Sequence, residues 1–92
     1  MHTLVIYDIS DDEIRQKAAE ACKEAGLVRI QKSAFLGVIS SQTRKNLRRR
    51  LEKILGEADG NIQVFVICDS DMRYREVIGR VVEGEEGGLL IF

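Results

Sequence analysis

Residues 3–9 have the sequence TLVIYDI and are followed directly by SDDE at residues 10–13. The first stretch is an unbroken β-branched and aromatic run, which is typical of a strand buried on both faces. The second predicts the start of a helix, because Ser10 and Glu13 have the spacing of a capping box and acids favour the positive end of the helix dipole. A central strand that passes at once into a helix is therefore the starting point of the fold.

The rest of the chain alternates between helix-like and strand-like patterns. The predicted elements are, in chain order, a helix over residues 10–25 that stops at Gly26, strands at 28–31 and 34–39, a helix from Ser40-Ser41 to Gly56, a strand at 62–68 and a short helix within 69–82. This order is the ferredoxin-like βαββαβ arrangement, an α+β fold with an antiparallel sheet and both helices on one face. It places the first and third strands in the centre of the sheet.

The predicted fourth strand is too apolar for an open sheet edge, so we expect another segment to cover it. Residues 83–88 are rich in glycine and glutamate, and residues 89–92 end the chain with LLIF. We expect this tail to add a C-terminal extra strand beside the fourth strand, in the same subunit or in a twofold-related partner. Residues 1–92 are thus expected to form a single domain, with residues 83–92 at a dimer interface.

The composition restricts the class of protein. The chain has 92 residues, of which 45% are hydrophobic and 32% charged, and this suits one small domain that dimerisation would stabilise. Its apolar stretches are far shorter than the roughly 20 residues that span a bilayer, and its start lacks a signal-peptide pattern. We therefore expect a cytoplasmic protein with no membrane association.

The cysteine content predicts neither a zinc site nor a disulfide framework, because the chain has only Cys22 and Cys68 and one histidine. We expect both thiols to be reduced core residues.

Charge is distributed unevenly along the chain. The net charge is -1, but residues 15–53 contain eleven basic and three acidic residues, which gives +8 for this block. Most of these bases lie on the outer face of the predicted second helix. They are Arg44, Lys45, Arg48, Arg49, Arg50 and Lys53. Because solvated faces usually mix signs and Glu52 is the only acid here, we interpret this face as a nucleic-acid-binding surface. Arg15, Lys17 and Arg29 are candidates to extend it.

Asp8 is the first candidate for chemistry, since it lies at the end of a central strand directly before a helix. A carboxylate there suits Mg²⁺, which takes oxygen ligands and keeps several waters. The alternative is that Asp8 begins a turn by accepting hydrogen bonds from the backbone, and from the residues alone we favour this second interpretation.

Other chemistry-bearing residues give weaker signals. Ser33 has no general base, because His2 is the only histidine and is interpreted as a terminal polar residue. Tyr7 and Phe35 are expected in the core, since the chain lacks the glycine-aromatic pattern of base-stacking platforms.

Several of these residues nevertheless occur in an order that resembles a known family. They are Tyr7-Asp8 at the end of the first strand, Arg15, the hairpin Gly26-Leu27-Val28-Arg29-Ile30-Gln31-Lys32-Ser33-Ala34-Phe35, the basic second helix and the apolar tail. Over essentially its whole length the chain resembles the small CRISPR-associated proteins of the Cas2 family. The resemblance implies a ferredoxin-like homodimer that acts in spacer acquisition for antiviral defence and bridges copies of the CRISPR integrase subunit.

The resemblance also implies roles for particular residues. Asp8 corresponds to the family's metal-binding catalytic aspartate, with Mg²⁺ as the cofactor, and two copies face each other across the dimer. The positions that the family associates with its site or with phosphate binding are Tyr7, Arg15, Arg29, Ser33 and Phe35. The sequence departs from the family in Lys17, where a second arginine is frequent, and in Ala34, where valine is usual. Lysine keeps the charge of arginine but loses its forked geometry.

Two functions follow from this resemblance. The first is a magnesium-dependent endonuclease for RNA or DNA, in which paired Asp8 carboxylates share a metal and Arg15, Lys17 and Arg29 hold the backbone. The second is a non-catalytic scaffold, in which the basic helices of a homodimer clamp duplex DNA and the tail and sheet edges engage the integrase subunit. A small-molecule regulatory domain is predicted only if the resemblance is accidental.

Overall fold

The computed structural model describes residues 1–80. Its elements are β1 (His2–Ile9), α1 (Asp12–Glu24), β2 (Val28–Gln31), β3 (Ala34–Val38), α2 (Ser41–Leu55), β4 (Gly60–Ile67) and α3 (Asp69–Met72). The strands form one antiparallel sheet in the order β2-β3-β1-β4. The ferredoxin-like order and the central positions of the first and third strands are confirmed. The strand expected at residues 89–92 and the stretch before it lie outside the described residues.

Strand β1 divides its side chains between the two faces of the sheet. Val5, Tyr7 and Ile9 lie in the buried core against the helices. The buried helical residues of this core are Ala18, Ala19, Ala21, Cys22, Leu47 and Leu51. Because successive side chains of a strand alternate, Leu4, Ile6 and Asp8 lie on the face without helices. The helix side of β1 is buried, but on the other face Leu4 and Ile6 are half-buried and Asp8 is exposed, so the prediction of a strand buried on both faces holds only in part.

Helix α1 does not begin with the predicted capping box. Asp11, not Ser10, is the N-cap, and its carboxylate accepts a hydrogen bond of 2.9 Å from the backbone N–H of Ile14. A carboxylate satisfies this donor as a hydroxyl would and adds a negative charge at the positive end of the helix dipole. The Ser10–Glu13 prediction is therefore wrong by one position.

Both long helices end at the predicted glycines. Gly26 and Gly56 have φ values of 102° and 53°, in the left-handed region that glycine adopts without strain. The N–H of Gly56 donates to the carbonyl of Glu52 at 3.0 Å. Helix α2 also begins as predicted, since the Ser40 hydroxyl accepts from the backbone N–H of Thr43 at 3.1 Å. None of the helices within residues 1–80 is long and apolar enough to cross a membrane.

The short helix predicted within residues 69–82 occupies only Asp69–Met72. Residues 73–80 are not helical. Met72 is buried, and residues 75–78 line a small cavity together with Ile30 of β2. The chain therefore crosses the helix-free face of the sheet, from β4 at one edge to β2 at the other.

His2 is not the terminal polar side chain that its position indicated. Its side chain is 10% exposed, and its Nδ1 lies 2.9 Å from Oδ1 of Asp69. The N-terminal ammonium lies 3.4 Å from the same carboxylate oxygen. The hydrogen bond to His2, and then that to the N-terminus, lower the pKa of the Asp69 carboxyl. This cluster ties the start of the chain to the start of α3.

The two cysteines are free thiols in different surroundings. Cys22 is a buried core residue, as predicted, and burial raises the pKa of its thiol to about 12. Cys68 is only half-buried, because it follows β4 as the N-cap of α3. Its Sγ donates to Oδ2 of Asp71 at 3.0 Å. The prediction of a core thiol is therefore wrong for Cys68.

Candidate nucleic-acid interface

Helix α2 carries a continuous row of basic side chains. We call Arg44, Lys45, Arg48 and Arg49 the α2 stripe. Residues three and four apart are neighbours on a helix surface, so these bases adjoin one another and Lys53 continues the row. From Arg44 to Lys53 the distance along the helix axis is about 14 Å. That length matches about four phosphates of one DNA strand.

Most of the α2 stripe is exposed, but Arg44 is half-buried where α2 meets β4 and lines a groove there with Leu51 and Ile62. Leu47 and Leu51 are 4% and 2% exposed and anchor α2 in the core. Arg48 lies 3.7 Å from Glu52, and both side chains are more than two-thirds exposed. An exposed pair of this kind contributes little and leaves the arginine accessible. The α2 stripe therefore presents a predominantly positive surface, as the sequence indicated.

Arg50 is separate from the α2 stripe. Its guanidinium forms an ion pair with the Glu24 carboxylate of α1. Arg50 thus joins the two helices, whereas the sequence grouped it with the bases that face a partner. The sequence offers no local signal for this pair, because its members are 26 positions apart.

A second basic cluster lies in a polar groove between α1 and the β2–β3 hairpin, which we call the α1 groove. It encloses about 880 Å³. Its charged lining residues are Arg15, Lys23, Arg29, Lys32, Asp12, Glu20 and Glu24. Tyr7 and Ser33 also line it, so the structure brings together four of the predicted site residues. Lys23 and Lys32 also line the groove but were not predicted as site residues, because neither belongs to a recognisable motif in the sequence.

Two arginines of the α1 groove are held by contacts with the fold. The guanidinium carbon of Arg29 lies 5.0 Å from the centroid of the Phe35 ring, within cation–π range. Arg15 donates to the carbonyl of Ile9 at 3.2 Å and forms an ion pair with Asp12. Side chains restrained in this way lose less conformational freedom when an anion binds.

Tyr7 and Phe35 are core residues, as their sequence context indicated. They are 6% and 0% exposed, and their rings stack with centroids 6.4 Å apart. The Tyr7 hydroxyl donates to the carbonyl of Lys32 at 3.5 Å, at the wall of the α1 groove. Phe35 lies beneath Arg29 and does not line the groove. The catalytic roles implied for Tyr7, Ser33 and Phe35 stay predictions.

Asp8 lies apart from the α1 groove. Its side chain is exposed, and its register partner is Asn61 on β4. Because Tyr7 points toward the helices, its neighbour Asp8 points to the opposite face of the sheet. The alternation of side chains along a strand is a sequence signal that could have separated Asp8 from Tyr7. Lys17 is also exposed and outside the lining of the α1 groove.

Gly60 fixes the backbone beside Asp8. Its φ is 138°, and a Cβ at this position would lie 2.3 Å from the Asp8 carbonyl oxygen. Only a residue without a side chain tolerates that approach. The first residue of β4 therefore packs closely against the strand end that carries Asp8.

The oxygen ligands at Asp8 suit a metal ion that binds few protein groups. Within residues 1–80, no three His, Cys, Asp or Glu side chains are grouped so that they could hold a metal. Mg²⁺, however, usually binds proteins through one or two carboxylates and keeps several waters. The exposed Asp8 carboxylate meets that requirement, and Asn61 on the same face offers an amide oxygen. A second Asp8 from another copy of the chain would complete a carboxylate pair.

These features define a small ferredoxin-like domain with a basic helix surface and an exposed aspartate at a strand end. Residues 1–75 match the sequence family described as CRISPR associated protein Cas2. The chain belongs to the Cas2 family, so the resemblance drawn from its residues is confirmed.

Comparisons with individual proteins agree with this membership. The chain is 49% identical over 81 residues to the CRISPR-associated endoribonuclease Cas2 of Korarchaeum cryptofilum, covering 87% of this chain and 86% of that protein. It is 34% identical over 67 residues to the CRISPR-associated endonuclease Cas1/endonuclease Cas2 fusion of Thermoproteus tenax, covering 73% of this chain and 25% of that protein.

A solved structure has the same fold. The crystal structure of Streptococcus pyogenes Cas2 superposes with a TM-score of 0.74 at 24% identity, covering 86% of this chain and 100% of that chain. At this identity the likeness concerns the fold alone.

Proposed function

We propose that this chain is a CRISPR-associated endonuclease that hydrolyses phosphodiester bonds of RNA or DNA during spacer acquisition. The observation that carries the proposal is the 49% identity to a protein named as a CRISPR-associated endoribonuclease. The α2 stripe supports it by offering a surface for the phosphate backbone. One relative is a fusion of Cas1 and Cas2, and this supports a role for the present chain beside the integrase subunit.

In this proposal Asp8 residues from two subunits hold Mg²⁺. The bound ion would supply Lewis-acid stabilisation of the scissile phosphate and activation of water. The exposed Asp8 carboxylate is accessible to the ion, and Arg15 is anchored at Ile9, directly after Asp8. Two facing carboxylates repel each other unless a cation or a proton lies between them, so the pair would hold a cation between its two subunits.

The homodimer is part of the same proposal. Strand β4 is an edge of the described sheet, and its Phe65 and Val66 are 42% and 45% exposed. An apolar edge is a template for another strand. Residues 89–92 (LLIF) are the segment whose composition suits this edge, within one subunit or across a twofold axis.

Deletion of residues 89–92 is expected to shift the dimer toward monomer and to lower the melting temperature by about 5 °C, because the β4 edge loses its cover. Sedimentation velocity and thermal unfolding measure both effects. The matched control replaces Glu85 and Glu86 by Gln, which alters the tail without removing its apolar residues. A truncated chain that sediments and melts like the full one refutes strand addition.

The second candidate function is a non-catalytic scaffold that clamps duplex DNA beside the integrase subunit. The position of Asp8, on the opposite face of the sheet from Tyr7 and the α1 groove, favours it. A scaffold requires only positive charge and a rigid frame, and the α2 stripe on a buried core supplies both.

Asp8→Asn separates the two functions. The substitution keeps size and polarity but removes the charge that binds the cation, so cleavage with Mg²⁺ is expected to fall by about tenfold to a hundredfold, toward the rate of wild type with chelator. Glu57→Gln, an equivalent change at another exposed carboxylate, is the control. Cleavage that survives in Asp8→Asn contradicts the metal-binding role of Asp8, and a wild-type chain that does not cleave contradicts the endonuclease proposal. Lost cleavage with retained spacer acquisition supports the scaffold, and loss of both supports catalysis.

A further inference from the structure

The α1 groove and the α2 stripe differ in the arrangement of their charges. Along α1, Asp12 and Glu20 lie on either side of Arg15, about 12 Å apart on the helix axis. A continuous strand laid along this wall would place phosphates beside both carboxylates and be repelled. The α2 stripe has only Glu52 at its far end. The α1 groove therefore suits a compact anion better than a continuous polyanion.

The two basic side chains that the β2–β3 hairpin contributes to the α1 groove, Arg29 and Lys32, are suited to a strongly charged anion. Arg29 is half-buried on the Phe35 ring, and a guanidinium that has lost part of its hydration gains more from an ionised, bidentate partner. Lys32 is exposed on the β2–β3 turn beside it. The carboxylate of Glu24 is neutralised by an ion pair with Arg50, which lies outside the groove. Of the three acidic residues that line the groove, Glu24 therefore repels a bound anion less.

The size of the α1 groove and the Tyr7 hydroxyl in its wall also suit a small ligand. Its 880 Å³ falls within the range of about 300–1,000 Å³ that small-molecule sites occupy. The Tyr7 hydroxyl makes a hydrogen bond of 3.5 Å, at the outer limit for such bonds, so exchanging it for a bond to a ligand oxygen costs little.

We propose that the α1 groove binds a phosphomonoester, with Arg29 and Lys32 contacting the phosphate and Arg15 beside them. A terminal phosphate carries nearly two charges and three acceptor oxygens, whereas an internal phosphodiester carries one charge. The phosphomonoester is the end of a nucleic-acid strand or a free nucleoside monophosphate. Where it is a strand end, the site rests on the proposed function, because the same nucleic acid then contacts the α2 stripe.

The test is a fluorescence titration of the full chain with short single-stranded oligonucleotides that carry a 5′-phosphate, a 3′-phosphate or hydroxyls at both ends. We expect about tenfold tighter binding of at least one phosphorylated form. Competition by adenosine monophosphate identifies the free nucleotide as a ligand, and its failure restricts the site to strand ends. Equal affinity for all three oligonucleotides, together with no binding of adenosine monophosphate, overturns the proposal.

Three single substitutions test which surface recognises the terminal phosphate. Arg29→Met retains packing on Phe35 while removing the charge, and Lys32→Gln changes an exposed side chain that the fold does not need. Each is expected to weaken binding of the phosphorylated oligonucleotides more than binding of the hydroxyl-ended one, so that the preference for a terminal phosphate falls. Arg49→Gln, the matched loss of charge on the α2 stripe, should weaken all three oligonucleotides equally and keep the preference. A preference that survives both groove variants refutes the site. If the unsubstituted chain cleaves neither RNA nor DNA but keeps the preference for a terminal phosphate, the proposed function fails and the α1 groove proposal stands.

Discussion

Reversal of two charges on the α2 stripe, by Arg48→Glu and Arg49→Glu in one chain, is expected to weaken duplex DNA binding at low salt by on the order of a hundredfold. Each substitution removes a cation that contacts a phosphate and introduces a carboxylate that repels one. Because fewer counterions are then released, the slope of log affinity against log salt concentration should fall by about two. Titrations at several salt concentrations measure both quantities.

The control for this experiment changes the net charge equally elsewhere. Arg73→Glu and Arg80→Glu alter exposed residues beyond α3 and are expected to affect binding much less. Arg50 is left unchanged, because a carboxylate there would face Glu24 across the two helices. If the doubly reversed α2 stripe binds duplex DNA with unchanged affinity and salt slope, the stripe is not the binding surface.

Phe35→Ala is expected to lower the free energy of unfolding by about 3–5 kcal/mol. The ring is fully buried, stacks on Tyr7 of β1 and supports Arg29 of β2, so truncation leaves a cavity beside these residues and removes the cation–π contact. Denaturant unfolding monitored by circular dichroism measures the change.

Tyr74→Ala, at a side chain that is 80% exposed, is the matched aromatic control and should change stability by less than about 0.5 kcal/mol. Phe35→Leu, which keeps most of the buried volume, also tests the site role implied for this residue. Cleavage that persists in a stably folded Phe35→Leu chain assigns Phe35 to the core alone. A loss of less than about 1 kcal/mol in Phe35→Ala would mean that the ring is not central to the packing.

Much of the fold could be predicted because its signals are local. Gly26 and Gly56 end their helices where a left-handed residue is needed, and Ser40 caps α2. The order of strand and helix patterns matched the ferredoxin-like arrangement, and that arrangement predicted the order of the strands in the sheet. The cap of α1 was misplaced because Ser10 and Asp11 are adjacent and both have capping side chains.

The contacts that could not be predicted join distant parts of the chain. His2 bonds to Asp69 over 67 positions, and Glu24 pairs with Arg50 over 26 positions. No periodicity or spacing encodes such pairs, since they depend on how complete elements pack. The residues of the candidate site were predicted from the sequence. Their separation onto two faces of the sheet, with Tyr7 on one and Asp8 on the other, follows only when the alternation of side chains along β1 is considered.

We infer a twofold dimer that holds duplex DNA through the α2 stripe of each subunit. Sedimentation velocity of the full chain at low salt, with and without added duplex DNA, measures both properties in one experiment. We predict a dimer that moves with the DNA as a larger complex, and whose complex dissociates as salt is raised. A monomer whose sedimentation does not change when DNA is added would refute the account.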